Sequence, residues 1–214
     1  MSKVAIITGS TRTPRVGTSV SNWVLETLKS RPTAGQESDL ELVPVEIADY
    51  KLPIFDESVI PASVPEKAQF QHEHSKRWSG AIKSFAGYIF VVPEYNFGVA
   101  GGYKNAIDYL YNEWIGKPVI VVSYGIQGGK TASAQLSSIL EAMKLRVAPT
   151  KIQLDFPGGL GPEVFGAMNE GILGKDTKKS WNEAAVKDEL FKGWIEFVGL
   201  LNEKAKEDAQ ADKN

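Results

Sequence analysis

Apolar residues along this chain fall into two alternating patterns. Residues 3–8 (KVAIIT) form a short unbroken apolar run stopped by Gly9, the pattern of a strand buried on both faces. Residues 17–29 place Val20, Trp23, Val24 and Leu28 on one helical face. Residues 40–47 (LELVPVEI) read as a second strand, and Pro44 within it predicts a sheet edge, where a missing N–H is tolerated. Residues 66–85 read as a helix through Phe70, Trp78, Ile82 and Phe85. Residues 87–92 (GYIFVV) are the clearest buried strand, ended by Pro93. Residues 100–114 predict a helix, residues 117–123 (KPVIVVS) a fourth strand, residues 129–144 a helix and residues 146–154 a fifth strand.

Between these runs lie two segments of different character. Residues 52–65 carry Pro53, Pro61 and Pro65 and predict a loop. Residues 156–174 hold Gly158, Gly159, Gly161, Gly166, Gly171 and Gly174, and predict a long excursion, a lid or an interface arm. A final helix is expected over residues 180–206, with the end from Glu207 frayed. Five rounds of strand and helix predict one domain, 1–214, with its core at 3–155, the excursion at 156–179 and the closing helix at 180–206. The expected class is α/β: a flavodoxin-like three-layer sandwich around a five-stranded parallel sheet in the order 2-1-3-4-5. In such sheets a ligand sits beyond the carboxyl ends of the strands where the order reverses. The loops after strands 1, 3 and 4 are therefore where chemistry is expected.

Composition narrows the function classes. Cysteine is absent, which removes disulfides, thiolate nucleophiles and Cys-bound metal clusters. The formal charge of −2, from 24 basic and 26 acidic residues, offers no basic stripe for nucleic acid. No apolar run reaches the roughly 18 residues that span a bilayer, and the apolar stretch 4–7 is too short for a signal peptide. No nucleic-acid or membrane partner and a cytoplasmic address are expected.

The loop after strand 1 reads GSTRTPRVGTS, residues 9–19. It combines hydroxyls, Arg12 and Arg15 with a helix N-terminus, the parts that suit a terminal phosphate. It lacks G-x-G-x-x-G, so a mononucleotide fits better than a tightly held dinucleotide. Residues 93–98 (PEYNFG) offer two aromatic rings, an amide and backbone N–H groups. A flat heterocycle needs such parts, and equally they suit a turn whose rings pack on the next helix. Residues 123–129 (SYGIQGG) let backbone approach a ligand, or simply supply positive φ. Lys130-Thr131 is not a Walker A ending, because Tyr124 stands where that motif needs glycine.

Taken together, Gly9-Ser10-x-Arg12, Pro93-Glu94-Tyr95-Asn96, Lys104-Asn105-Ala106-Ile107-Asp108 and Ser123-Tyr124-Gly125 with Gly128-Gly129 resemble the NAD(P)H-dependent FMN reductase and quinone reductase family of flavodoxin-like proteins. The resemblance spans about residues 3–154. It implies non-covalent FMN, with NADPH or NADH as co-substrate. By position, Ser10, Arg12, Arg15, Val16, Gly17 and Thr18 would hold the phosphate. Pro93, Glu94, Tyr95, Asn96 and Phe97 would flank the isoalloxazine, and Ser123, Tyr124 and Gly125 its pyrimidine side. Tyr95 and Phe97 would also flank the substrate. Arg15-Val16-Gly17 departs from the Ser/Asn-rich stretch of many members.

The resemblance implies hydride transfer from NAD(P)H through FMN to a quinone or another flat acceptor in ping-pong order. The flavin carries the chemistry, with no catalytic side chain and no metal. A homodimer or tetramer is implied, with small-molecule quinone or flavin acceptors. Two other readings stand beside it: a flavodoxin-type electron carrier, which net −2 does not favour, and a regulatory protein governed by flavin redox state. His72 and His74, two apart on an expected helix, read as solvated surface rather than a metal site. Lys104 and Asp108 read as an i, i+4 pair or an interface contact, and Trp181 and Trp194 as packing.

Overall fold

The computed structural model describes residues 2–31 and 40–211. Its centre is a parallel sheet in which β1 (Ser2–Thr8), β2 (Leu40–Glu46), β3 (Gly87–Tyr95) and β5 (Pro118–Gly125) run in the order β2-β1-β3-β5. The register aligns Ile6 with Ile89 and Ile89 with Ile120, so apolar rows cross the sheet. Successive residues of β1 point to opposite layers. Val4 and Ile6 join a core with α1 (Gly17–Lys29) and α8 (Ala184–Ala211). Ala5 and Ile7 join a second core with α3 (Glu73–Lys83), α4 (Gly101–Asp108) and α5 (Lys130–Ala142). These two cores, one on each face, make the three-layer flavodoxin-like sandwich. Pro44 lies in the outermost strand, as its missing N–H requires.

Several boundaries differ from the sequence pattern, each for a physical reason. The fifth predicted strand is two strands, β6 (Arg146–Val147) and β7 (Ile152–Asp155), both on the far edge of β5. Pro149 has no N–H to give the ladder, and Thr150 gives its own N–H to the Glu196 carboxylate of α8 at 2.7 Å. The helix expected from residue 66 begins at Glu73, because the Glu57 carboxylate takes the N–H groups of Gln71 and His72 at 2.8 and 2.9 Å. A one-turn helix, α2 (Ile47–Tyr50), follows β2 directly.

β3 continues past Pro93 and turns back as a short antiparallel strand, β4 (Gly98–Val99). Its pairing with β1 ends at Thr8–Val91, so on that side the missing N–H of Pro93 has no ladder position to fill. α4 stops at Asp108, short of the expected 114, and the Tyr111 N–H turns to the Glu113 carboxylate. The glycine-rich excursion is itself helical, with α6 (Pro162–Glu170) and α7 (Lys175–Trp181). α7 absorbs Ser180 and Trp181, so α8 starts at Ala184. It runs on to Ala211, beyond the expected fraying point, and Glu207 pairs there with Arg146. Residues 212–214 of the expected frayed end lie outside the described residues.

Candidate active site

The carboxyl ends of β1, β3 and β5 open onto one cleft of about 260 Å³, and α6 closes its side. The loop after β1 builds one end. Gly9 must be glycine there: a Cβ would lie 1.7 Å from the ring of fully buried Tyr103. Gly17 is equally constrained, since a Cβ would come within 1.9 Å of Ser10 Oγ and 2.9 Å of the Tyr124 hydroxyl. Ser10, Gly17 and Tyr124 therefore meet at one point beneath the cleft. Ser10 Oγ and the Tyr124 hydroxyl are buried there against each other, and neither has a further hydrogen-bond partner in the protein. Burial pushes the Tyr124 pKa up, so this group remains a phenol and a donor.

Arg15 completes this end. Its Nη2 lies 3.3 Å from a Glu46 carboxylate oxygen at the end of β2, while its buried Nε has no partner. No side chain caps the N-terminus of α1, and its first turn holds no acidic residue. Buried polar groups are nearly always satisfied in native proteins. Unpaired donors beside an uncapped helix N-terminus fit an anion with several acceptor oxygens. The phosphate end of FMN has that chemistry, and the residues present fit it.

The loop after β3 forms the opposite wall. Residues 96 and 97 make a two-residue hairpin between β3 and β4, with Asn96 at φ 49° and Phe97 at φ 60°. Two-residue hairpins of the I′ class demand positive φ at both positions. Arg12 reaches across from the first loop, its guanidinium carbon 3.5 Å from the centre of the Tyr95 ring. Partial burial raises the Tyr95 pKa against the pull of Arg12 and Arg15. Glu94 lines the cleft but its carboxylate is engaged: Oε2 accepts the N–H groups of Thr131 and Ala132 at 2.9 and 3.0 Å and so caps α5.

Of the residues expected at the cofactor, Arg12, Arg15, Val16, Pro93, Glu94, Tyr95, Asn96, Tyr124 and Gly125 line the cleft. Ser10 and Gly17 lie just beneath it, against Tyr124. Thr18, Ser123 and Phe97 are not in the lining. Thr18 is exposed on the first turn of α1. The Ser123 hydroxyl donates to the Gly128 carbonyl at 2.6 Å inside the β5–α5 turn. Phe97 is 77% exposed at the hairpin tip. The sequence reading missed Pro14, Ile126, Phe156, Val164, Ala167 and Met168, which also line the cleft. The signal for the last three was their i, i+3, i+4 spacing after Pro162, hidden among glycines.

The K-N-A-I-D segment acts at one remove. Asn105 donates to the Pro53 carbonyl at 2.6 Å and accepts the Phe55 N–H at 3.0 Å, fastening the Pro-rich loop to α4. Lys104 and Asp108 form the expected i, i+4 pair. His72 and His74 depart from the solvated-surface expectation. His72 is the extended N-cap of α3, so helical spacing does not separate it from His74. The two rings stack with centroids 5.1 Å apart, and Asp56 faces both. Among the described residues, no group of three His, Cys, Asp or Glu side chains is placed to hold a metal ion. Nor is any helix among them long and apolar enough to cross a membrane.

Residues 2–156 match the family model described as NADPH-dependent FMN reductase. An NAD(P)H-dependent FMN reductase, ntnL, of Nectria sp is 55% identical over 204 residues, covering 95% of this chain and 98% of that one. A quinone reductase of Escherichia coli strain K12 is 31% identical over 166 residues, 72% of this chain and 81% of that one. Among solved structures, the flavoenzyme NAD(P)H:(acceptor) oxidoreductase FerB of Paracoccus denitrificans superposes with a TM-score of 0.60 at 20% identity, covering 92% of this chain and 99% of that one. That likeness speaks to the fold, while the sequence matches speak to the chemistry. With FMN as cofactor and NAD(P)H as reductant, the chain belongs to the NADPH-dependent FMN reductase family of flavin-dependent oxidoreductases.

Proposed function

We propose that this enzyme reduces quinones or similarly flat acceptors at the expense of NAD(P)H, in ping-pong order. The balanced reaction is NAD(P)H + H⁺ + quinone → NAD(P)⁺ + hydroquinone. Bound FMN would supply the chemistry, taking up hydride from one substrate and giving two electrons to the next. The chain's own part is to bind, orient and exclude water. Arg15, the N–H groups opening α1 and the hydroxyls of Ser10 and Tyr124 would hold the phosphate end. Residues 93–96 and the backbone of 124–125 would hold the ring system, with Arg12 and Tyr95 at its border. Phe156 and α6 cover the side of the cleft against water.

One observation carries the cofactor part of this reading: the unpartnered Arg15 Nε and the adjoining hydroxyls of Ser10 and Tyr124, which have no partner beyond each other, are buried at the loop that opens α1. The quinone reductase relative supports the acceptor class. The absence of cysteine agrees with the cytoplasmic address proposed with it. A homodimer or tetramer is part of the same proposal, resting on the family resemblance.

The test is a visible spectrum of the purified protein under anaerobic conditions, first with NADPH and then with a quinone. Flavin absorbance that bleaches with NADPH and returns with quinone is the expected result. A yellow protein that NADPH cannot bleach would instead be a carrier or regulator.

A further inference from the structure

We propose that α6 is the wall that selects the electron acceptor, favouring a flat apolar molecule over a charged one of the same size. This rests on the flavin reductase reading above. The cleft joins two chemically different regions. Arg12 and Arg15 supply its cationic side, while Ile126, Phe156, Val164, Ala167 and Met168 bring no ionisable group. Val164 and Ala167 are almost fully buried and fixed in the core, as is Phe156. Met168 and Ile126 are different: they are 51% and 43% exposed. One projects from α6 and the other from the loop after β5, and both line the same cleft.

Half-exposed apolar side chains that line one cleft are covered favourably by an apolar ligand. Methionine suits this place, because its flexible thioether adapts to the faces and edges of aromatic rings.

The wall is anchored well enough to discriminate. Gly171 ends α6 at φ +70°, and a Cβ there would stand 2.8 Å from the Arg15 carbonyl oxygen. Ser19 Oγ donates to the Gly171 carbonyl at 3.2 Å. Glu163, near the start of α6, accepts the Thr177 N–H at 2.8 Å and so ties α6 to α7. α6 lies beyond the stretch that the family model matches, which ends at residue 156, whereas Ile126 and Phe156 lie within it. The wall thus joins residues from both sides of that boundary.

The test compares 2-methyl-1,4-naphthoquinone with 1,4-naphthoquinone-2-sulfonate in wild type, Met168→Gln and Met168→Leu. Gln keeps the length of the side chain and removes its apolar character. The wild type should favour the methyl compound in kcat/KM. Met168→Gln should shrink that preference about fivefold through the KM of the methyl compound, and Met168→Leu should preserve it. Calorimetric titration of the methyl compound into NADPH-free protein should weaken in parallel. The FMN dissociation constant, read by flavin fluorescence, should stay within about twofold. An unchanged preference in Met168→Gln, or a change matched by lost FMN affinity, would overturn the proposal. If NADPH fails to bleach the wild-type flavin, the reductase reading falls by itself. The titration still decides the wall in that case, supporting it if Met168→Gln weakens binding and refuting it if not.

Discussion

The guanidinium of Arg12 lies on the face of Tyr95, 3.5 Å from the ring centre, and joins the loop after β1 to the loop after β3. The contact places a full positive charge at the border between the anion end and the aromatic wall of one cleft. Stacking of this kind contributes about 0.5–1 kcal/mol where exposed, and Arg12 is exposed. Its larger effect is on an anionic ligand.

Arg12→Ala should therefore weaken FMN binding about tenfold, and more steeply at low ionic strength. Arg12→Lys should fall between, since it keeps charge but loses the planar stack. Fluorescence titration of apoprotein with FMN at two salt concentrations checks this. Identical dissociation constants for Arg12→Ala and wild type would remove Arg12 from the site.

Ser10 allows a test with two opposite signs. Its buried hydroxyl meets only the Tyr124 hydroxyl, so apoprotein carries most of the cost of desolvating it. Ser10→Ala should leave the apoprotein equally stable or raise its Tm by a few degrees, while weakening FMN about tenfold. A variant that lowers Tm and spares FMN affinity would make Ser10 a structural residue instead. Gly17→Ala is the steric counterpart. Its Cβ would collide with Ser10 Oγ, and FMN binding should fall further than in Ser10→Ala.

Far from the cleft, Lys117 sets a pH dependence. Its Nζ donates to the carbonyls of Ile82 and Lys83 at 3.2 and 3.1 Å. Burial lowers its pKa from 10.5 to about 8, with Lys204 and Lys83 adding to the effect and Glu113 opposing it. Between those values the unfolded chain holds a proton that the folded chain has released. Stability from this group therefore rises with pH across about 8 to 10.5. Lys117→Met removes the titration. The stability of wild type relative to this variant should improve as pH rises from 7.5 to 10, measured by urea denaturation. A constant difference across that range would contradict the assignment.

The strands buried on both faces were legible because nothing distant competes for their backbone. Residues 4–7 and 118–123 are apolar or small and wholly buried, and their runs alone mark them. The boundaries that moved are those where a remote carboxylate intervenes. Glu196 takes the Thr150 N–H across 46 residues, and Glu57 takes those of Gln71 and His72. No local pattern contains that information. At the site, hydroxyls, arginines and glycines after strands pointed to the loops that line the cleft. They did not say which way a side chain turns. Ser123 turns into the β5–α5 turn, and Phe97 turns out at a hairpin tip. α6 was masked for a related reason: Gly166 lowers its intrinsic helicity and blurs the spacing of Val164, Ala167 and Met168, and its docking against Arg15 and α7 is tertiary.

That docking depends on one carboxylate. Glu163 accepts the hydroxyl and the N–H of Thr177, at 2.5 and 2.8 Å, and so caps α7. These hydrogen bonds, the Thr177 hydroxyl first, hold its pKa below the ordinary value of 4.5. A carboxylate lowered in the folded state contributes its stabilisation above the unfolded pKa and loses it as pH falls through the folded one. The α6–α7 pair should therefore loosen below about pH 4.5 before the sheet unfolds. Glu163→Gln should show that looseness already at neutral pH. Limited proteolysis reads it directly, because Gly158 and Gly159 precede α6 with positive φ and open space around them. Cleavage near residues 158–161 should accelerate several-fold in Glu163→Gln at neutral pH, with the sheet core still folded by circular dichroism. Equal cleavage rates in variant and wild type would mean that α6 is held by its apolar face alone. In that case Val164 and Ala167, packed in the core beside Phe156, would be the anchors of the acceptor wall.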